Sequence, residues 1–234
     1  MKRFYKTVTV EADEATSAFS IMLDRKSVQT PARKPLQVPG EGLAAAIAAE
    51  WEAQGDEIVV GSMPLTQVAA TALDRISSDV AAYVRQIAAY GETDLLCYRA
   101  DNPATLVARQ METWQPLVEW VGDAISAPLT VTQGVAPIAQ PPESLTALQA
   151  VVAAHNIFEM SALGLATTAS GSLIIALALS QGRLDAETAF EAGYLDEMWQ
   201  VEKWGTDAEA EASRATARAD LKTAAQFFEL CRNP

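Results

Sequence analysis

Residues 58–76, IVVGSMPLTQVAATALDRI, mark where the chain changes character. The first part, 58–64, is β-branched, interrupted by a glycine and a proline, and carries no helical stripe. From there Leu65, Val68, Ala69, Ala72, Leu73 and Ile76 recur at i, i+3, i+4, i+7, i+8 and i+11, which is one face of a helix. Pro64 suits the first helical position, where its missing N–H would have no intrahelical partner anyway. Toward the N-terminus, residues 4–11 (FYKTVTVE) and 18–24 (AFSIMLD) are short, partly alternating and rich in β-branched and aromatic residues, so they predict strands. Residues 24–26 (DRK) read as a turn, and 31–39 (PARKPLQVP) as a further short extended piece. Residues 40–54 (GEGLAAAIAAEWEAQ) then predict an Ala-rich helix stopped by Gly55.

Toward the C-terminus helices dominate. Val80, Tyr83, Val84 and Ile87 predict a second helix ending near Gly91. Asn102 before Pro103 reads as an N-cap with proline at the first helical position. Val107, Met111, Trp114, Val118 and Val121 then share a face, with a bend expected at Pro116. Residues 129–142 read as a loop with one short strand. Further helices are expected over 143–155, 172–180, 185–203 and 207–230, with Gly182 and Gly205 as stops. Strands first and helices after define an α+β fold: a small antiparallel β-rich N-terminal domain, residues 1–62, and a larger helical bundle, residues 63–234.

Composition narrows the function classes. Half of the 234 residues are apolar and 20% are charged, which excludes wholesale disorder. Seventeen Lys+Arg against 30 Asp+Glu give a net charge of −13, a field that opposes nucleic acid and anionic membranes. The single histidine, His155, leaves no His-based zinc cluster, and Cys97 and Cys231 form no CxxC pair. The opening MKRFYKTVTV lacks the apolar stretch of a signal peptide. The longest apolar run, 173–179, is far short of the ~20 residues that span a bilayer. A cytoplasmic protein without membrane insertion and without a cofactor is expected.

Four segments carry candidate chemistry. In 90–99 (YGETDLLCYR) Cys97 is a candidate nucleophile, with Asp94 or Glu92 as orienter and Arg99 as the cation; otherwise the segment is an apolar anchor. His155 with Glu159 would be a general base and its orienter, or else a half-buried structural histidine. Residues 167–172 (TTASGS) could offer helix N-terminal amides to an anion. The alternative is a plain N-cap, with Gly171 allowing tight packing ahead of the apolar helix LIIALAL.

The fourth segment, 191–211 (EAGYLDEMWQVEKWGTDAEAE), sets Trp199 and Trp204 among seven acids, with Lys203 the only base. Three readings stand open: a solvated acidic face, a partner surface with aromatic anchors, or a catalytic site. In the last, Asp207 and Glu211 share a helical face and serve a metal-assisted hydrolase or glycosidase.

Several of these stretches resemble one family: 63–76 (MPLTQVAATALDRI), 90–100 (YGETDLLCYRA), 171–179 (GSLIIALAL) and 195–211 (LDEMWQVEKWGTDAEAE). Residues 23–39 (LDRKSVQTPARKPLQVP) and 48–58 (AAEWEAQGDEI) add to the match. The family is that of the ATP-twelve chaperones, in its alphaproteobacterial type. The resemblance implies a β-rich N-terminal domain beside an orthogonal helical bundle, and a function with no turnover; a monomer is expected. It implies a chaperone that holds the free alpha subunit of the ATP synthase F-one sector, preventing aggregation until that subunit pairs with beta. The family's important acid follows its Trp-Gly, which here gives Glu209 first and Asp207 second. Trp204, Gly205, Gln200 and Glu202 match the same motif, and Trp204, Gln200 and Glu202 complete the implied partner-binding set.

Overall fold

The structure, a computed structural model, describes residues 1–13 and 17–232. Packing divides the chain into two compact units. One takes in residues 1–80, 156–162 and 226–234, and the other residues 81–155 and 163–225. The first unit therefore extends past residue 62, the sequence boundary, and recruits two short later segments.

In the first unit, β1 (Val8–Asp13), β2 (Ala18–Leu23), β3 (Lys26–Ser27) and β4 (Gln37–Pro39) form one antiparallel sheet. β2 pairs β1 along one side, from Val8↔Leu23 to Asp13↔Ala18, and β3 and β4 along the other. Ile21 and Leu23, two residues apart on β2, are buried together, the period-2 signature of a half-buried strand. The first strand begins at Val8, not at Phe4. Asp24 turns the chain at φ 56°, and its Oδ1 accepts from the Lys6 and Thr7 N–H groups, both at 3.0 Å. That carboxylate takes the amides a strand partner would otherwise use.

α1 (Glu41–Glu52) packs on this sheet through Leu43, Ala44, Ile47 and Trp51. It ends at Glu52 with Ala53 as its cap in ordinary right-handed geometry, so Gly55 is not its stop. The helix expected from Pro64 is present as α2 (Pro64–Thr71), running on into a π-helical turn over Ala72–Ile76. Its N-terminus is capped from α1: the Glu50 carboxylate accepts from Leu65 N–H (2.7 Å) and Thr66 N–H (2.8 Å).

The second unit is helical. α3 (Val80–Ala88) leads into 3₁₀ turns over Ala89–Thr93 and Leu95–Cys97, then into β5 (Tyr98–Arg99). α4 (Ala104–Ile125) follows as one 22-residue helix that contains Pro116. It starts one residue later than expected, because Pro103 is extended (ψ 162°) and itself occupies the cap position that Asn102 was expected to fill. The loop beyond α4 contributes the single short strand β6 (Thr132–Gln133), paired in parallel with β5. α5 (Pro142–Ala153), α6 (Ile157–Ser170), α7 (Leu173–Ser180), α8 (Ala186–Gly193), α9 (Leu195–Trp204) and α10 (Ala208–Arg232) complete the chain. All eight residues of α7 are buried, as the LIIALAL stretch implied.

α6 has no counterpart in the sequence reading, and the helix expected over 185–203 is two. The break falls at Tyr194 (φ −108°, ψ 16°), which stacks on Phe190 at 4.8 Å. Just before it, Gly193 passes the end of α6 so closely that a Cβ there would lie 2.9 Å from the Ser170 carbonyl oxygen. Only glycine allows that approach without backbone shifts.

Candidate functional site

Residues 191–211 fold into the end of α8, all of α9, a three-residue bend and the first turn of α10. Gly205 ends α9 in a backbone conformation (φ 82°, ψ −179°) that favours glycine. Two residues on, Asp207 caps α10: its Oδ1 accepts from Glu209 N–H (3.0 Å) and Ala210 N–H (2.9 Å). The amide of Ala210 holds the Asp207 carboxyl below the usual carboxylate range.

The acids of this segment therefore divide by engagement. Asp196 accepts from Gln110 Nε2 (2.7 Å) and Glu197 from Arg214 Nη1 (2.7 Å). Glu202 holds Arg109 of α4 with both oxygens, at 2.7 and 2.8 Å, and this pairing lowers its pKa. Arg214 also donates to the Thr206 hydroxyl, pinning the bend from α10. Glu209 and Glu211 lie on the exposed surface of the first turn of α10.

The two tryptophans divide in the same way. Trp199 is buried, while Trp204 is 74% exposed and meets the Trp199 ring edge-on at 5.7 Å. Trp204 forms one wall of a cavity of about 580 Å³ together with Asp196, Gln200, Thr206, Asp207 and Arg214. Of the residues singled out from sequence, Gln200, Trp204 and Asp207 meet at this cavity. Glu202 faces a separate groove of about 430 Å³ on the other side of α9, lined also by Arg109, Phe190 and Arg218. Glu209 lines neither and stands in the open. Arg214, Arg109 and Thr206 were missed, because their partners here are set by the fold and not by a local pattern.

The remaining candidates settle as structural groups. Cys97 is fully buried, and burial with the neighbouring Asp94 pushes its thiol up to about 12, the opposite of a nucleophile's requirement. Cys231 is likewise pushed up to about 12 by burial. His155 sets Nδ1 2.9 Å from the Val151 carbonyl and Nε2 3.4 Å from Ser180 Oγ, and Glu159 instead accepts from Asn156 N–H at 2.9 Å.

Residues 167–172 take the N-cap reading, and the group held at the α7 N-terminus comes from within the chain. Thr167–Ser170 end α6, Gly171 adopts φ 72° with open space about it, and Ser172 caps α7. The anion is the chain's own Asp94, fully buried. It accepts from Ser172 Oγ (2.7 Å), Leu96 N–H (3.1 Å) and Ile174 N–H (3.2 Å). Burial pushes its carboxyl up to about 6.

Asp207 and Glu211 do not share a helical face, since Asp207 stands outside the helix as its cap. Among the described residues no group of three or more His, Cys, Asp or Glu is arranged to hold a metal ion. Asp207→Ala is expected to lower the unfolding midpoint by about 2–4 °C through loss of the cap. Calorimetry on the two chains checks this. The cap's contribution is present above the ordinary Asp pKa and fades as pH falls through the lowered folded value, so the difference between the chains should shrink in acid.

The family model described as ATP12 chaperone protein matches residues 2–122. The crystal structure of Atp12 from Paracoccus denitrificans is 40% identical in sequence. The match covers 98% of this chain and 97% of that one, with a TM-score of 0.92. The chain belongs to the ATP12 chaperone family. An aspartate-to-lysine mutant of the Paracoccus Atp12 aligns equally well, again at 40% identity, 98% and 97% coverage and a TM-score of 0.92. The mitochondrial atp12 protein of Schizosaccharomyces pombe is 24% identical over 218 residues, covering 88% of this chain and 74% of that protein. ATP12 membership makes the protein a chaperone of ATP synthase assembly. No helix among its described residues is long and apolar enough to cross a membrane.

Proposed function

We propose that this ATP12 chaperone binds the unassembled alpha subunit of the ATP synthase F-one sector in the cytoplasm, keeps it from aggregating, and yields it to beta without any turnover. A free subunit of an obligate ring exposes a large apolar interface. A chaperone that masks it needs a few strong anchors and an affinity low enough for displacement. The observation that carries the reading is that the Trp204 ring at the end of α9 and Glu209 in the first turn of α10 are exposed, while Asp196, Glu197, Glu202 and Asp207 of the same segment are each committed to a partner within the chain. Trp204, Gln200 and Glu209 are thus the proposed contact residues, with Glu202 and Asp207 holding α9 and α10 in place.

The test is light scattering of purified alpha subunit with and without the protein, with beta added last. Suppressed aggregation, followed by transfer of alpha into a complex with beta, is the expected result. Unchanged aggregation with no complex on gel filtration would sink the reading.

A further inference from the structure

A second recognition feature lies in the helical unit, in a cavity of about 220 Å³ between the first half of α4 and the β5–β6 pair. Its lining joins Val107, Met111 and Val131 to Arg99, Gln110 and Thr132. Arg99 is only 8% exposed. Its Nε donates to the Leu96 carbonyl at 2.8 Å and its Nη1 to the Gln110 carbonyl at 3.0 Å. Nη2 finds only Gln115 Oε1, at the long distance of 3.5 Å. The guanidinium has five N–H donors, so this outer edge is under-used.

The comparison with Arg214 is instructive. Arg214 is equally buried, but it is paired with Glu197 at 2.7 Å. Among the described residues no carboxylate lies within ion-pair distance of Arg99, although buried charges are normally paired. Asp196 acts on it only through space, and its own Oδ1 is taken by Gln110. The Trp114 ring, 5.4 Å from the guanidinium carbon, compensates part of the charge. Burial works against that charge and lowers its pKa. Among the lining residues, Met111 is 58% exposed and Val131 37% exposed. A free small acid would leave this apolar rim wet, whereas a protein segment would cover it and dry the charge pair inside.

We infer that this cavity receives an aspartate or glutamate side chain of the client subunit, carried on an otherwise apolar stretch, with its carboxylate on the outer edge of the Arg99 guanidinium. The client's identity rests on the alpha-subunit reading above; the chemistry rests on the cavity.

The test uses the full chain with two exposed substitutions of opposite sign at the rim. Met111→Glu supplies a carboxylate from the chain itself and repels an incoming one, and is expected to weaken alpha-subunit binding by about tenfold or more. Met111→Lys removes the same apolar contact without that repulsion, and is expected to weaken binding by no more than about threefold. A photo-crosslinking benzoylphenylalanine at Val131 should capture an alpha-subunit peptide containing Asp or Glu among apolar residues. Unfolding midpoints equal to wild type certify each variant. Equal losses for the two Met111 variants, no loss for either, or a captured peptide without an acid would each overturn the inference. Loss of binding by variants at Trp204 and Glu209 but not at Met111 overturns the inference and leaves the function standing. If the wild-type chain forms no complex with alpha, the function fails first and takes this inference with it.

Discussion

Asp94→Ala is expected to lower the unfolding midpoint by roughly 6–12 °C, which is about 3 kcal/mol for a chain of this size. The substitution leaves the amides of Leu96 and Ile174 without an acceptor in a site closed to water, and removes the partner of the Ser172 hydroxyl. It thereby releases the segment 90–99 from the N-terminus of the fully buried α7. Asp94→Asn retains one carbonyl oxygen and should cost less than half as much. The two variants also separate in their pH dependence. The folded Asp94 titrates at about 6, above its ordinary 3.8, so the native state holds a proton that the unfolded chain has lost. Its contribution is complete below about pH 4 and falls as pH rises through 6. The total change is about 3 kcal/mol, at 1.36 kcal/mol per pKa unit. The stability difference between wild type and Asp94→Asn, measured by urea unfolding from pH 4 to 7, should therefore move in favour of the asparagine variant as pH rises. A flat difference would show that Asp94 does not titrate in this window.

The largest functional effect is expected at the exposed end of α9. Trp204→Ala should weaken alpha-subunit binding about 30-fold, the loss of an aromatic anchor worth about 2 kcal/mol. Glu209→Lys should weaken it at least as strongly by reversing the charge of a proposed contact residue. Both positions are exposed, so unfolding should shift by no more than about 2 °C. Asp207→Ala gives the reverse pattern, a lower midpoint with client binding nearly intact at a temperature where the chain is folded. Isothermal titration against alpha, paired with calorimetry, separates the two patterns. A Glu209→Lys chain that binds alpha as tightly as wild type would remove Glu209 from the contact surface.

How much of this was legible beforehand depended on whether the determinant was local. The stripe from Leu65 to Ile76, the alternation in β2 and the uniformly apolar α7 each declare themselves within a dozen residues, and all three elements are present. α6 was invisible because IFEMSALGLATTAS mixes apolar and small residues on every side and so carries no amphipathic stripe. Its Gly164, a poor helix former, leaves room for the Tyr83 hydroxyl, which a Cβ there would displace. The break at Tyr194 was hidden for a similar reason, since the preceding Gly193 packs against the backbone of Ser170, 23 residues earlier in sequence. At the site, sequence showed the acids and tryptophans but not their engagement. Glu202 meets Arg109 across 93 positions, and no local pattern encodes such a pair. The cap role of Asp207 was within reach, because aspartate two residues past a stopping glycine and ahead of an Ala/Glu run is an N-cap pattern.

The two native thiols make the chain a convenient chassis for spectroscopic labels. Burial pushes both Cys97 and Cys231 up to about 12, which keeps them protonated at pH 7. A cysteine placed at the exposed Ala208, next to Asp207, would titrate near the ordinary value and react with a maleimide dye far ahead of both. A fluorophore can therefore be installed at the start of α10 with the native cysteines and the proposed contact residues left in place, and the arrival and departure of a client followed in real time.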